Sequence, residues 1–323
     1  MAIKKIAVLT SGGDAPGMNA GVRAVTRTAL ERGVEVVGVY RGYNGLIEGD
    51  IKPLNRRSVS DILHRGGTVL YTARSPEFCT EAGMKKAVET FHKNHIDALV
   101  VMGGDGSFRG ALDLSRHGIP CMGIPCTIDN DIACCEQTIG YDTALNTSME
   151  MIDKLRDTSQ SHDRCSVVEV MGRHAGHLAL NVGIAVGATA ILVPEVPFDF
   201  QTHVVERMKS ALATGKKHFI IVVAEGVGHA VELASKIEEA TGVESRATIL
   251  GHVQRGGNPT VRDRVLSSRM AHHAVDLLLN GNANRVITVH RDQIVDLGIE
   301  DALALPKKPF DLQLYHMAHE ISN

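Results

Sequence analysis

Apolar residues along this chain come in short unbroken runs rather than alternating with polar ones, and most runs lead into a glycine-rich turn and then a helical stretch. The first strand is expected over residues 3–9, whose apolar part is Ile6 to Leu9. Thr10-Ser11-Gly12-Gly13-Asp14-Ala15-Pro16-Gly17-Met18-Asn19 follows, then a helix to about Glu31 and a second strand over 34–40. That order is a βαβ unit, whose default is parallel strands with a right-handed crossover. A helix over 84–95 feeds a strand over 98–102, and another apolar run covers 121–124. A long helix is expected from 143 to about 157, with Leu145, Met149, Ile152 and Leu155 on one face. After a polar break at 159–163 the alternation resumes, with strands over 166–170, 190–193, 219–224 and 247–250. The helices that follow them are expected over 178–186, 202–213, 231–240 and from about 264 to 279. One more strand is expected at 285–290, and the polar tail predicts no element. A domain transition is expected between Gly140 and Asp163, and there is no internal repeat or flexible linker.

Strand–helix alternation of this kind gives an α/β class, in which functional groups gather where parallel strands end. The strand ends here carry Gly103-Gly104-Asp105-Gly106-Ser107, then Ile124-Pro125-Cys126-Thr127-Ile128-Asp129-Asn130-Asp131, Met171-Gly172-Arg173-His174-Ala175-Gly176, Glu225-Gly226, and Gly251 to Gly257. Glycine turns at such ends let the backbone approach a polyanion. Asp105, among glycines, is suited to hold Mg²⁺ against nucleotide phosphates. Asp129 and Asp131 are too close to share one role: one serves as general base while the other binds metal or a backbone group. Arg173, with Arg246 or Arg255, supplies positive charge to a transferring phosphoryl group or to a fixed phosphate. Arg74 closes a further glycine loop after Arg65-Gly66-Gly67-Thr68. A donor cradle, a metal ligand and a base are the parts of phosphoryl transfer.

Composition narrows the partners. At 323 residues the chain has room for two domains, and a net charge of −3 gives no general pull towards nucleic acid or an anionic membrane. No apolar run approaches the ~20 residues of a membrane span, and the N-terminus leads directly into a strand, so a cytoplasmic protein is expected. The absence of Trp, with aromatics at 4%, argues against a base-stacking surface. Six cysteines without paired spacing read as reduced thiols. The histidine pairs 92/95, 174/177 and 272/273 lack an accompanying carboxylate at metal-ligand spacing and read as surface or core residues.

A G-G-D-G-S turn alone occurs in several kinase families, NAD kinases and lipid kinases among them. Joined in order by T-S-G-G-D-A-P-G-M-N, T-I-D-N-D, V-V-E-V-M-G-R-H-A-G and L-G-H-V-Q-R-G-G, it resembles the bacterial ATP-dependent 6-phosphofructokinase family over nearly the whole chain. The resemblance implies two Rossmann-like three-layer domains with mostly parallel sheets and the active site in the cleft between them. Residues 1–140 plus about 253–304 would bind ATP, and 141–252 plus about 305–323 fructose 6-phosphate. It implies transfer of the γ-phosphoryl of MgATP to the 1-hydroxyl of fructose 6-phosphate. Gly13, Arg74, Ser75, Gly104, Asp105, Gly106 and Ser107 match ATP-contacting positions, with Asp105 on Mg²⁺. Asp129 matches the base, supported by Thr127, while Asp131 and Arg173 match residues that orient and stabilise the transition state. Arg164, Met171, Gly172, Glu225, Arg246, His252 and Arg255 match the sugar-phosphate site. Arg164 and Arg246 are expected to reach in from a neighbouring subunit of a homotetramer.

The resemblance also implies an effector site for ADP or phosphoenolpyruvate at Arg23, Arg27, Arg56, Asp61, Arg156, Lys216, Lys217 and His218. This chain departs from the family there. Thr189 stands where a metal-ligating Glu is expected, Arg57 where an aromatic ring stacks on the base, and Thr214 where Lys is common. Weakened ADP activation is the expectation. Pyrophosphate-dependent relatives carry Asp where this chain has Gly106 and Lys where it has Cys126, so ATP is the expected donor. Cys126 itself is a second departure, a thiol expected to narrow the donor site or make it sensitive to oxidation. The rival readings are a pyrophosphate-using or broader sugar-phosphate kinase, and a catalytically silent nucleotide sensor.

Overall fold

The computed structural model describes residues 3–322. In chain order its elements are β1 (Lys5–Thr10), α1 (Met18–Glu31), β2 (Glu35–Val39), α2 (Gly42–Glu48), β3 (Ile51–Leu54), α3 (Glu81–Lys93), β4 (Ala98–Gly103), α4 (Asp105–Arg116), β5 (Cys121–Pro125) and α5 (Tyr141–Ser161). There follow β6 (Cys165–Val170), α6 (His177–Ala185), β7 (Ala190–Leu192), α7 (Arg207–Ala213), β8 (Phe219–Ala224), α8 (Ala230–Thr241), β9 (Ser245–Ile249), α9 (Val261–Leu279), β10 (Arg285–His290), β11 (Gln293–Gly298), α10 (Ile299–Ala304) and α11 (Leu312–Ile321). The chain divides into two compact units. The first comprises Met1–Ile128, Ile132–Thr143 and Arg255–Lys308; the second comprises Asp129–Asp131, Ala144–Gln254 and Pro309–Asn323.

The first unit is built on a seven-stranded sheet in the order β11-β10-β5-β4-β1-β2-β3. Its five inner strands run parallel, and only the flanking β3 and β11 are antiparallel to their neighbours. The centre is dry because β1 and β4 are continuous apolar runs: Ile6 to Leu9 and Ala98 to Met102 are fully buried. Helices α1 and α9 pack together where Gly21 leaves room. A Cβ on Gly21 would stand 2.8 Å from Ser267 Oγ, and that hydroxyl donates to the Gly17 carbonyl at 2.8 Å. The second unit holds a four-stranded parallel sheet, β7-β8-β6-β9. Cys165, Val167, Leu192, Phe219, Ile221 and Val223 from its strands pack with Val204, Met208 and Ile237 into one core. Fully burying a side chain as large as Phe219 contributes about 1.5–3 kcal/mol.

The apolar runs locate the inner strands and their helices well, with β10 falling on the expected residues. Several elements differ from expectation. The segment after β2 folds as α2 and β3, which lack a periodic signal: α2 has glycines at 42 and 45, and β3 contains Pro53, tolerated because β3 is an edge strand. The tail, whose sequence carries no signal for an element, supplies β11, α10 and α11. Helix α9 starts earlier than 264 because Thr260 caps it, its hydroxyl accepting from the Asp263 N–H at 3.2 Å. Helix α5 continues to Ser161, four residues past the predicted end. Residues 201–206 form a π-helical turn ahead of α7 rather than α-helix. No helix among the described residues is long and apolar enough to cross a membrane.

Candidate active site

At the C-terminal edge of the first sheet, the turn after β1 is fastened to the loop that ends in Tyr71-Thr72. Thr10 Oγ1 donates to the Tyr71 carbonyl at 2.8 Å, and Thr72 Oγ1 donates to the Gly12 carbonyl at 2.6 Å. Asn19, at the start of α1, donates to the Arg65 carbonyl at 3.0 Å and accepts from the Val69 N–H at 2.8 Å. Gly66 packs so closely on the Gly257 carbonyl that any side chain there would collide with backbone. The three glycine loops picked out in the sequence therefore meet. Arg255 crosses Gly13: a Cβ on Gly13 would stand 2.7 Å from Nη1, which donates to the Asp14 carbonyl at 3.4 Å. Arg74 is exposed, and Ser75 Oγ is buried without a hydrogen-bond partner.

The turn after β4 has Gly104 as an extended N-cap and Asp105 as the first residue of α4, with no side-chain cap. Asp105 is exposed, which fits a carboxylate that shares Mg²⁺ with nucleotide phosphates, since Mg²⁺ is ordinarily bound by one or two carboxylates plus phosphate and water. A Cβ on Gly106 would meet nothing within 4 Å, whereas one on Gly103 would press on the Ser11 carbonyl and Ser107. Ser107 is buried, and its carbonyl accepts from the Tyr43 hydroxyl at 2.5 Å.

Strand β5 lies beside β4 with Gly103 opposite Pro125, and the Cys126 N–H donates to the Gly103 carbonyl at 2.9 Å. The loop leading to Asp129 thus starts where the G-G-D-G-S turn starts. Residues 138–143 brace it: the Thr127 N–H donates to the Ile139 carbonyl at 3.1 Å, and Thr138 Oγ1 donates to the Thr127 carbonyl at 2.6 Å. Behind them Asp263, fully buried, accepts from the Gly140 N–H at 2.9 Å, the Thr143 N–H at 2.8 Å and Thr143 Oγ1 at 2.6 Å. Burial raises this carboxyl to about 6 despite those three donors, with Asp142 adding to the rise. Cys126 is also buried, and its thiol is held well above the usual range by burial and then by Asp263. The expectation of an oxidation-sensitive thiol is corrected here, because a shielded neutral thiol is a poor nucleophile.

In the second unit Asp129 and Asn130 are buried, Asn130 at φ 51°, and Asp131 is half-buried. At the C-terminal edge of the four-stranded sheet, Arg173 adopts φ 60° and donates its N–H to Glu225 Oε1. Backbone in that region costs a non-glycine residue about 1 kcal/mol or more, so the carboxylate holds a conformation the chain would not otherwise keep. Met171 and Gly172 start the same loop, and His252 is exposed in a 3₁₀ turn (Gly251–Arg255) after β9. Arg164 and Arg246 lie elsewhere. Arg164 immediately precedes β6, and Arg246 pairs with Ser166 near the start of β6, so both sit at the sheet's N-terminal edge. They share Glu244: Arg164 Nε is 2.8 Å from its carboxylate, Arg246 Nη2 donates to it, and the Arg164 bond lowers its pKa.

The effector candidates fall into two groups. In the first unit Arg23 and Arg27 stand one turn apart on α1, where burial and the neighbouring charge lower the Arg23 pKa; Arg56 pairs with Glu31, and Asp61 is exposed at φ 55°. In the second unit Arg156 donates to the Val186 carbonyl, and Lys216 Nζ donates to Thr189 Oγ1 at 3.3 Å. Lys217 is 3.8 Å from Asp163, and His218 is half-buried. Arg57 and Thr214 are exposed. Two buried residues that the sequence reading did not single out, Asp263 and Gln254, prove central to their surroundings. A T-x-x-D capping pattern at Thr260 is the one signal for Asp263, and Gln254 stands within the L-G-H-V-Q-R-G-G stretch without a role of its own.

Parallel sheets whose C-terminal edges carry glycine turns, carboxylates and arginines define an α/β enzyme that handles phosphorylated small molecules. The phosphofructokinase family model matches residues 5–278, and the chain belongs to that family. It is 54% identical over 320 residues to the ATP-dependent 6-phosphofructokinase of Clostridium botulinum (strain Eklund 17B / Type B), covering 99% of this chain and 100% of that one. ATP-dependent 6-phosphofructokinase 1 of Clostridium perfringens (strain 13 / Type A) is 55% identical over the same shares. Among solved structures, phosphofructokinase from Saccharomyces cerevisiae superposes with a TM-score of 0.88 at 38% identity, over 93% of this chain and 45% of that longer chain. A pyrophosphate-dependent phosphofructokinase from Marinobacter aquaeolei shares the fold, with a TM-score of 0.85 at 23% identity, over 96% of this chain and 86% of that one.

Proposed function

We propose that the chain transfers the γ-phosphoryl group of ATP to the 1-hydroxyl of fructose 6-phosphate, giving fructose 1,6-bisphosphate and ADP. The activity is that of an ATP-dependent 6-phosphofructokinase. The observation that carries the assignment of roles is the adjacency of β4 and β5, which starts the G-G-D-G-S turn and the loop to Asp129 from hydrogen-bonded neighbours.

The first unit binds the donor. Gly13, Gly104, Gly106 and Ser107 contact the phosphates, Arg74 and Ser75 complete the nucleotide contacts, and Asp105 holds Mg²⁺. When bound, Mg²⁺ neutralises charge on the phosphate oxygens. The second unit binds the acceptor through Met171, Gly172, Glu225 and His252, with Arg255 reaching the sugar phosphate. Asp129 accepts the proton of the sugar hydroxyl as that oxygen attacks phosphorus. Thr127 and Asp131 orient the reacting groups, and Arg173 offsets charge on the transferring phosphoryl group.

Arg164 and Arg246 serve the active site of a neighbouring copy in a homotetramer. Their place at the opposite sheet edge from Met171 and Arg173, on the order of 15–20 Å away for a strand of this length, supports that reading. The enzyme is cytoplasmic. ADP or phosphoenolpyruvate binds at Arg23, Arg27, Arg56, Asp61, Arg156, Lys216, Lys217 and His218. Activation by ADP is weak, because the Thr189 hydroxyl is engaged with Lys216 and offers no carboxylate to a metal.

Magnesium titration of an Asp105→Asn variant tests the donor assignment. The proposal expects at least a tenfold higher Mg²⁺ requirement with an unchanged KM for fructose 6-phosphate. An unchanged Mg²⁺ dependence contradicts it.

A further inference from the structure

Gln254 is fully buried, and its side-chain amide joins three separate segments of the second unit. Its Oε1 accepts from the Met171 N–H at 3.1 Å and from Ser148 Oγ, on α5, at 3.1 Å. Its Nε2 donates to the Gly251 carbonyl at 3.0 Å. Met171 opens the loop that carries Gly172 and Arg173, while Gly251, at φ 56°, opens the turn that carries His252. These two loops leave from the neighbouring strands β6 and β9.

Only a neutral amide satisfies all three partners. A carboxylate loses the donor to Gly251 and places a charge in a buried site, and an apolar side chain leaves the Met171 N–H and the Gly251 carbonyl without their partner. Removing the amide therefore frees the His252 turn to drift from the Met171–Gly172 backbone. Displacement on the ångström scale is enough to weaken substrate positioning by orders of magnitude.

We infer that Gln254 is a positioning residue for the acceptor: it fixes the spacing between Met171–Gly172 and His252 and so sets the affinity for the phosphorylated sugar. The inference rests on the proposal that Met171, Gly172 and His252 contact fructose 6-phosphate. It is distinct from a packing role, because it predicts a selective effect on one substrate.

The test is steady-state kinetics on the assembled enzyme, with each substrate varied, for Gln254→Met, Gln254→Glu, Ser148→Ala and His252→Ala, alongside thermal midpoints. Gln254→Met should raise the KM for fructose 6-phosphate by about tenfold or more while the KM for ATP stays within about twofold. Gln254→Glu, which keeps the acceptor for Met171, should give a smaller rise in the same direction. Ser148→Ala lacks only the α5 partner and should lower the midpoint without moving either KM. If the Gln254 variants lower the midpoint and shift both KM values together, or shift neither, Gln254 is a packing residue and the inference is wrong. His252→Ala separates the two levels of the argument. Should it leave the KM for fructose 6-phosphate unchanged, the acceptor reading falls and this inference with it; should it raise that KM while the Gln254 variants do not, this inference alone is overturned.

Discussion

Asp263 receives both the backbone N–H and the hydroxyl of Thr143, at 2.8 and 2.6 Å, from 120 residues away in the chain. The Thr143 hydroxyl in turn accepts from the Thr260 N–H at 3.0 Å, and the Thr260 hydroxyl from the Asp263 N–H at 3.2 Å, closing a ring. One carboxylate therefore sits in the first turn of α9 and also caps the first turn of α5, and the braced segment 138–143 lies between it and Thr127.

That carboxyl gives a pH signature. Its native value of about 6 lies above the ordinary 3.8, so between about pH 4 and 6 the native state holds more proton than the unfolded chain. Stability contributed by Asp263 is present below about pH 4 and lost as pH rises towards about 6, by about 3 kcal/mol in all. An Asp263→Asn variant does not titrate there. Denaturation of both proteins across this range should show the wild-type advantage shrinking as pH rises; parallel profiles would contradict the assignment.

The Arg255 guanidinium lies against the open side of Gly13. A methyl group there would meet Nη1 at 2.7 Å, but the clash is with the far end of a flexible side chain, so folding should survive. Gly13→Ala is expected to keep the thermal midpoint within a few degrees and to lower kcat/KM for fructose 6-phosphate by about tenfold or more through displacement of the proposed Arg255 contact, with any rise in the KM for ATP reporting the separate donor role of Gly13. Full activity in the variant would remove Arg255 from the acceptor site.

Gly106 faces open space within the first turn of α4. Gly106→Asp should leave stability unchanged or slightly raised, because an acidic side chain near a helix N-terminus is favourable by about 0.3–1 kcal/mol. The same charge repels nucleotide phosphates and should raise the KM for ATP by about 10- to 100-fold. Stability and donor affinity moving in opposite directions is the expected result, read by thermal midpoint and ATP titration. An unchanged KM for ATP would place the phosphates elsewhere.

The parts of the fold legible in the sequence are those dictated by local pattern. Largely apolar runs mark β1, β4, β6 and β8, and the glycines after them mark the turns. Edge strands were missed where local preference is weak, as at Pro53 in β3 and in the half-exposed β11. The roles of Asp263 and Gln254 were not legible, because their partners stand 120 and 83 residues away and no periodicity announces such a pairing. Cys126 was misjudged for a related reason: its place beside Thr127 was visible, and its burial was not.

Among the proposed roles, that of Asp129 in taking the proton of the acceptor hydroxyl bears most on the reaction. Its most direct test is kcat of the Asp129→Asn variant, with folding and assembly checked, at saturating MgATP and fructose 6-phosphate. A fall of about 10²–10⁴-fold with little change in either KM is expected, the loss of a group that acts in the transition state. A kcat within a few-fold of wild type would contradict it.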